Sequence, residues 1–526
     1  MTGGRPRRGR GARRSSSVAE APDGNKVGDE AIVPRAEPLE QLTVDEVKNR
    51  AVHGTATLGV RSILTFGLAI AGNLILARLL VPRDFGLVAL GSTIVMVASF
   101  VSQAGIGARL IGRPEPPDQE ELQAVLGFQL GLSIVLVIGF AAAAWPFGRA
   151  GLVPALMLTS LPLATLRLPT ALVLERQLSY RSIASADVIE TASNFAWAIA
   201  TVAAGMGVWG LASAAPVRVL VGSLVLIRLG PLGFVRPAWA WRHVRPILRF
   251  GVQFQAIDAV GLVRDQGLNM GVAAVAGFVT LGLWNFAYRI MSVPVALYLS
   301  LWRVCYPAMA RLLDAEEDPR SVIERTIGVV AVAMSPILVG IAASASDLLP
   351  AIVGDRWTGS VSIVIWGCAA TMVNAPVSIP SEGYLLAAGQ ITKVLTAAGV
   401  GAVVWLGVTL PLLAVAGPGA IGVGWFAMAL VDALLLGWWI DKSAGVRVIR
   451  SVVRPLSLAI VAGAIGLAIA SVGGDDWTTG AVALLAAEIA LALGLCLLAG
   501  ELVRNTLRLM SRALRLRRST QHAHAH

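Results

Sequence analysis

Charge is scarce in this chain. Asp, Glu, Lys and Arg together make up 14% of its 526 residues, well under the roughly 25% of an ordinary soluble domain. Cysteine and histidine are scarcer still. Cys305, Cys368 and Cys496 lie in or beside apolar stretches, at no disulfide or metal spacing. The five histidines are His53, His243 and three in the terminal His-Ala-His-Ala-His, so none falls inside an apolar stretch. Haem, a zinc centre and a histidine proton relay therefore have no ligands, and no cofactor or metal is expected. The Gly-x-x-x-x-Gly-Lys-Ser/Thr loop is missing, which removes ATP hydrolysis by this chain. No nucleophile–base constellation can be assembled, and no long outer loop is present to carry one, so the chain is not expected to be an enzyme. Asp475-Asp476 is the one acidic pair on the outer side, and a turn accounts for it.

What the chain has instead is apolar length. The mean hydropathy is +0.72, and about fourteen separate stretches have the roughly twenty residues that a helix needs to cross a bilayer. They fall at 57–80, 86–109, 122–147, 151–173, 187–205, 208–228, 247–275, 279–302, 326–346, 359–387, 391–413, 419–440, 455–473 and 479–502. Only helices and closed barrels satisfy their backbone groups in lipid, and these runs are too long for barrel strands. The expectation is an all-α polytopic membrane protein. Residues 1–54 read as a basic cytoplasmic tail, disordered in composition and lacking an apolar signal-peptide region, with a lead-in helix opened by the capping box Thr43-x-x-Glu46. Residues 504–526 form a second basic tail.

The formal charge of +11 is a matter of placement. Basic residues sit before Thr55, in the even-numbered gaps and after Glu501, and only Arg83, Arg149 and Arg356 fall in the odd-numbered gaps. That asymmetry is the positive-inside signal, and it predicts a multi-pass plasma-membrane protein with both termini cytoplasmic. The basic tails also suit anionic membrane lipids, and no nucleic-acid partner is needed to explain them. Arg outnumbers Lys about ten to one, a fork suited to diphosphates. The same bias runs through loops and tails, however, and codon composition explains it more simply.

A faint internal repeat lays spans 1–2 over spans 7–8, with Asn73 on Asn269 and Phe85-Gly86-Leu87 on Leu281-Gly282-Leu283. Ala-Arg-Leu then recurs at 108–110 and 310–312, slightly out of register. Two six-helix lobes are expected, 55–229 and 230–440, with two further helices at 441–503. The segment from Leu174 to Ala184 reads equally as an amphipathic elbow in the interface or as a charged loop.

Ionisable side chains inside the hydrocarbon cost about 2.5–3.5 kcal/mol each on insertion scales, so they mark function or pairing. Span 7 carries Asp258, Arg264 and Asp265; the two carboxylates, seven residues apart, share a helix face. Arg289 lies too deep in span 8 to reach an interface. Arg61 and Arg78 lie nearer the ends of span 1, where snorkelling explains them as well as function does. Arg167, Arg218, Glu382 and Asp432 are weaker candidates.

Ala77-Arg-Leu-Leu-Val-Pro-Arg-Asp-Phe-Gly86 resembles the signature of bacterial polysaccharide and oligosaccharide-lipid flippases, members of the multidrug/oligosaccharidyl-lipid/polysaccharide exporter superfamily. Leu248-Arg-Phe-Gly251, Tyr288-Arg289 with Pro294, Tyr306-Pro-Ala-Met-Ala-Arg-Leu312, Val353-Gly-Asp-Arg-Trp357 and Leu385-Leu-Ala-Ala-Gly-Gln390 agree in order and spacing. The resemblance runs from about residue 48 to 440 and weakens over the last two spans. It implies two lobes around a central cavity, a lateral opening beside spans 1 and 8, and alternating-access transfer of a polyprenyl-diphosphate-linked oligosaccharide to the outer leaflet. It also implies that Arg289 and Arg78, which fall in family motifs, hold the substrate. Arg61 and Arg264 match no motif and are substrate-binding candidates on physical grounds only. Asp258 and Asp265 are candidates for ion coupling or gating, by competing for those arginines or by binding H⁺ or Na⁺. A multidrug exporter of the same superfamily would want an acidic, aromatic cavity, whereas the deep charges here are mainly Arg. A peptidoglycan-precursor flippase shares the chemistry and stands as the alternative.

Overall fold

The computed structural model describes residues 44–103, 105–106, 110, 117–177, 179–315, 318–472 and 477–498, leaving out the side chains of 44–58, 249–254, 256–258, 260, 304 and 498. Among these residues every regular element is helical. In chain order they are α1 (Val44–Leu79), α2 (Pro82–Gln103), α3 (Gln119–Ala144), α4 (Arg149–Leu158), α5 (Ser160–Thr165), α6 (Leu168–Arg176), α7 (Tyr180–Thr201) and α8 (Val208–Leu229). There follow α9 (Trp241–Asp314), α10 (Pro319–Val353), α11 (Val361–Ala387), α12 (Ile391–Ala416), α13 (Gly419–Ala444), α14 (Val448–Val472) and α15 (Trp477–Leu498).

Local chemistry sets the ends. Asp118 accepts a hydrogen bond from the Glu121 backbone N–H at 2.7 Å, and Asp318 accepts one from Arg320 at 3.0 Å, each satisfying an orphan donor of a first turn. Pro82 and Pro319 open α2 and α10, where a missing N–H costs nothing. Thr43 of the expected capping box lies outside the described residues; the helix itself is present from Val44.

Eleven described helices are long and apolar enough to cross a membrane, or twelve if one bent pair counts as a single span. The fourteen stretches read from the sequence and this number differ by how two places are counted. First, α9 joins across a kink the two segments that the sequence divides into spans 7 and 8. Gly277 interrupts it at φ 76°, ψ −177°, a conformation that only glycine adopts without strain. There the chain folds back: the Trp284 indole N–H donates to Asn269 Oδ1 at 3.0 Å, although fifteen residues of straight helix would separate them by about 22 Å. Second, α7 carries Arg181, Asp187 and Glu190, which lower its apolarity. The bent pair is α4–α5 with α6, turning by 52° around Arg167; Pro169 lacks the N–H that would continue the helix there.

α9 packs along α2, α11 and α13 pack together, and α10 packs on α11, α14 and α15. The α2–α9 crossing follows the sequence repeat. A Cβ at Gly86 would overlap the Phe278 carbonyl, and one at Gly282 would overlap the Pro82 carbonyl. Pro82 and Phe278, Gly86 and Gly282, and Asn73 and Asn269 are all separated by one common offset. The two repeats therefore meet each other through equivalent residues, at the end of the bundle where α1 turns into α2.

That end is tied by an exchange of main-chain acceptors. Arg78, at the end of α1, donates through Nε to Ile352 O at 2.5 Å and through Nη2 to Ala351 O at 3.3 Å, on the last turn of α10. In return Arg356 donates to Leu80 O at 3.2 Å and Arg78 O at 3.1 Å, and the Trp357 indole donates to Ala77 O at 2.9 Å. Each cation meets the negative end of the opposing helix dipole. Trp357 is fully buried and lies against Phe85 and Phe286, with ring centroids at 5.0 and 4.4 Å. Replacing Arg356 by Ala removes two of these bonds, at about 0.5–1.5 kcal/mol each. The expected result is faster maleimide labelling of an Ile352→Cys reporter in a Cys496→Ser background, with unchanged protein level.

Candidate functional site

Arg289 occupies the point where two cavities meet. One, of about 520 Å³, is lined by Ser62 and Thr65 of α1, Thr191 and Asn194 of α7, Arg218 of α8, and Arg289 itself. The other, of about 760 Å³, is a groove between α1, α9, α10 and α15, walled mostly by carbon, including Phe66, Ile70, Phe286, Ile337 and Leu484. Phe66, Ala69 and Arg289 border both. One guanidinium thus sits between a hydroxyl- and amide-lined chamber and a hydrocarbon-lined one.

The Arg289 guanidinium donates to Asn73 Oδ1 and lies over the Phe85 ring, 5.3 Å from its centroid. Among the described residues no carboxylate pairs with it within salt-bridge distance. Arg218 joins it on the polar chamber with its side chain 47% exposed, while its Nε lies 3.3 Å from Glu190 Oε1. The same Glu190 receives Arg167 Nη1 at 2.5 Å. One carboxylate therefore serves two guanidinium groups, leaving that cluster cationic. Positive charge at a polar recess beside an apolar groove suits an anionic headgroup joined to a hydrocarbon tail.

The other candidates are dispersed. Arg61 pairs with Asp187 of α7 at 3.3 Å. Arg264 pairs with its neighbour Asp265 at 2.7 Å, so the two side chains converge although successive helical positions point about 100° apart. Arg78 belongs to the tie with α10 and borders a separate hollow of about 560 Å³ with Trp477. The side chain of Asp258 lies outside the described residues. Arg289 is thus joined by none of the other three substrate-binding candidates in the polar chamber, and its companion there is Arg218.

Sequence reasoning passed over Asp187, Glu190 and Glu488. Each is a carboxylate inside an apolar helix, the same signal that singled out the arginines. Glu488 borders the apolar groove. In the second half of the chain, Glu382 accepts from the Trp302 indole at 3.1 Å, and Asp432 packs against Gly401.

The model of the polysaccharide biosynthesis protein family matches residues 75–362. The lipopolysaccharide biosynthesis protein WzxC of Escherichia coli (strain K12) is 25% identical over 357 residues, which cover 66% of this chain and 71% of WzxC. The succinoglycan biosynthesis transport protein ExoT of Rhizobium meliloti (strain 1021) is 24% identical over 384 residues, covering 70% and 74%. Among solved structures, the lipid II flippase MurJ in an inward closed conformation aligns with a TM-score of 0.66 at 11% identity, over 85% of this chain and 99% of that one. An inward-facing MATE-family multidrug resistance transporter of the MOP superfamily aligns at 0.51 and 15% identity, over 74% and 98%. At such identities these two structures bear on the fold alone.

Proposed function

The chain belongs to the polysaccharide biosynthesis protein family, among the MOP-superfamily flippases, and from that premise we propose that it carries a polyprenyl-diphosphate-linked oligosaccharide from the cytoplasmic to the outer leaflet. It is a multi-pass membrane protein, and the membrane in question is the plasma membrane, with both termini on the cytoplasmic side. Lobes 55–229 and 230–440 rock against one another, and helices 441–503 flank them. The observation that carries this reading is the position of Arg289 between the polar chamber and the apolar groove.

A diphosphate cannot cross hydrocarbon unpaired. In this reading Arg289 and Arg218 take its oxygens, and Ser62, Thr65, Thr191 and Asn194 offer hydroxyls and amides to the first sugars. The polyprenyl chain lies along the groove toward lipid. Binding by two cations, one of them already shared with Glu190, is weak enough to release the substrate on the far side. Arg61 lies one turn before Thr65 and acts at the chamber entrance when Asp187 lets it go. The Arg78–Arg356 tie is the closed outer gate. Asp265 holds Arg264, and together with Asp258 it couples or gates transport through H⁺ or Na⁺. Export is carrier transport, with no covalent step.

The test is deletion of the gene, followed by recovery of lipid-linked intermediates from each leaflet. The expected result is an intact lipid-linked repeat unit accumulating on the cytoplasmic side, cleared when the gene is restored. Accumulation of the lipid-linked peptidoglycan precursor instead would move the substrate to that class. Wild-type distribution of both would dismiss the flippase reading.

A further inference from the structure

Asn73 and Asn269 occupy equivalent places in the two repeats, and each reaches across to the other repeat's second helix. Asn269 Nδ2 donates to Thr93 Oγ1 at 3.1 Å, while Asn73 Oδ1 accepts from Arg289. Thr93 and Arg289 are separated by the same offset as the two asparagines. The pairs are thus one contact built twice, with different chemistry. In the Thr93 version the residue is 1% exposed, and Asn269 spends its own oxygen on the Trp284 indole. That contact borders neither of the two cavities. In the Arg289 version the hydroxyl is replaced by a long cation that leaves the contact and borders both cavities.

We infer that Asn73 is a positioning residue for the substrate diphosphate: its neutral amide oxygen holds the Arg289 guanidinium at the junction of the chamber and the groove without neutralising it. The inference rests on the reading that Arg289 takes the diphosphate. A guanidinium has five donors, and one amide oxygen occupies part of this fork. The Phe85 face behind it limits the remaining freedom. A carboxylate at the same place would hold the fork equally well in shape. It would also form an ion pair in a low-dielectric setting, where Coulomb attraction is several-fold stronger than in water. An arriving diphosphate would then have to break that pair. Asparagine supplies aim and leaves the full charge to the ligand.

This separates positioning from mere packing. Asp is isosteric with Asn and a stronger acceptor, so a purely structural role for residue 73 predicts that N73D binds substrate as the wild type does. The positioning role predicts the order wild type, then N73A, then N73D. The experiment uses the full chain in lipid nanodiscs with undecaprenyl diphosphate as probe, and measures Kd and melting temperature. N73A is expected to weaken binding about threefold to tenfold and N73D by about a hundredfold, with every 1.4 kcal/mol counting as tenfold. T93V, in the equivalent contact, is expected to stay within about twofold, since it touches neither cavity.

Wild-type affinity in N73D alongside lost affinity in R289A would overturn the role of Asn73 and leave the flippase reading standing. Wild-type affinity in R289A would overturn the reading that Arg289 takes the diphosphate, and the role of Asn73 with it. Should N73D fail to give monodisperse protein, N73A decides alone: weakened binding at an unchanged melting temperature supports the inference, and unchanged binding overturns it.

Discussion

Replacing Arg289 by Ala is expected to abolish glycan export, by a hundredfold or more, while the protein reaches the membrane at its normal level. Two charge-assisted hydrogen bonds to a diphosphate contribute about 1.5–3 kcal/mol each, and 2.8 kcal/mol is already about a hundredfold. The effects on stability largely offset one another. Truncation gives up the Asn73 hydrogen bond and the contact with Phe85, the latter about 0.5–2 kcal/mol. It also removes a guanidinium from hydrocarbon depth, which relieves about 2.5–3.5 kcal/mol on insertion scales. Loss of function without loss of protein is therefore the signature of a ligand-holding group here. Lys at this position keeps the charge and loses the fork, and about a tenfold loss is expected. The measurements are surface polysaccharide, membrane protein level and the leaflet in which the lipid-linked repeat unit accumulates. Surface polysaccharide within twofold of wild type in the alanine variant would take Arg289 out of the site.

Arg289 was legible in the sequence because its signal is one residue deep: a cation in an apolar run that no interface can reach. Its companions were not, because pairing is a property of several helices at once. Arg61 finds its carboxylate on α7 and Arg167 finds Glu190 there as well, and nothing along α1 or around Pro169 announces those partners. Arg218 looked like a lesser case for the same reason, since its value comes from sharing Glu190 and facing the chamber of Arg289. The tie between Arg78 and Arg356 was less legible still. Its acceptors are main-chain carbonyls, which carry no residue identity and leave no pattern to read. Helices, by contrast, follow from apolar length alone, and most of their limits were close. Apolar length separates the spans less sharply at two points: Gly277, where two helical segments meet at a kink, and α7, where three charges dilute an apolar stretch. The repeat was visible as a register, in Asn73 with Asn269 and Gly86 with Gly282. That the matched residues also touch each other needed coordinates, because a repeat says which positions are equivalent and says nothing of where the axis between them lies.

The touching glycines give the second large effect. At Gly86 any side chain would run into the Phe278 carbonyl, and at Gly282 into the Pro82 carbonyl. Both obstacles are backbone, so no rotamer change relieves them, and overpacking of this kind costs about 1–3 kcal/mol or more. Only the arrangement in which α2 and α9 cross at this point carries the penalty. An arrangement with that end parted does not. Gly86→Leu is therefore expected to shift the two-state balance toward the parted form by about a hundredfold, at 1.4 kcal/mol per factor of ten, and to stop export, because a gate that cannot shut uncouples the two openings. The Arg78–Arg356 tie would be lost along with the crossing. A reporter at Ala77→Cys, a position that is 0% exposed, should label from outside with an impermeant maleimide in Gly86→Leu and resist labelling without it, both in the Cys496→Ser background. Gly282→Leu should behave alike, since it offers the same obstacle from the other repeat. Gly67→Ala, on α1 where nothing lies within 4 Å of an added Cβ, should leave labelling and export unchanged and gain slightly in helix propensity. Normal export in Gly86→Leu with Ala77→Cys still protected would mean that this crossing accommodates a side chain without parting, and that the gate lies elsewhere.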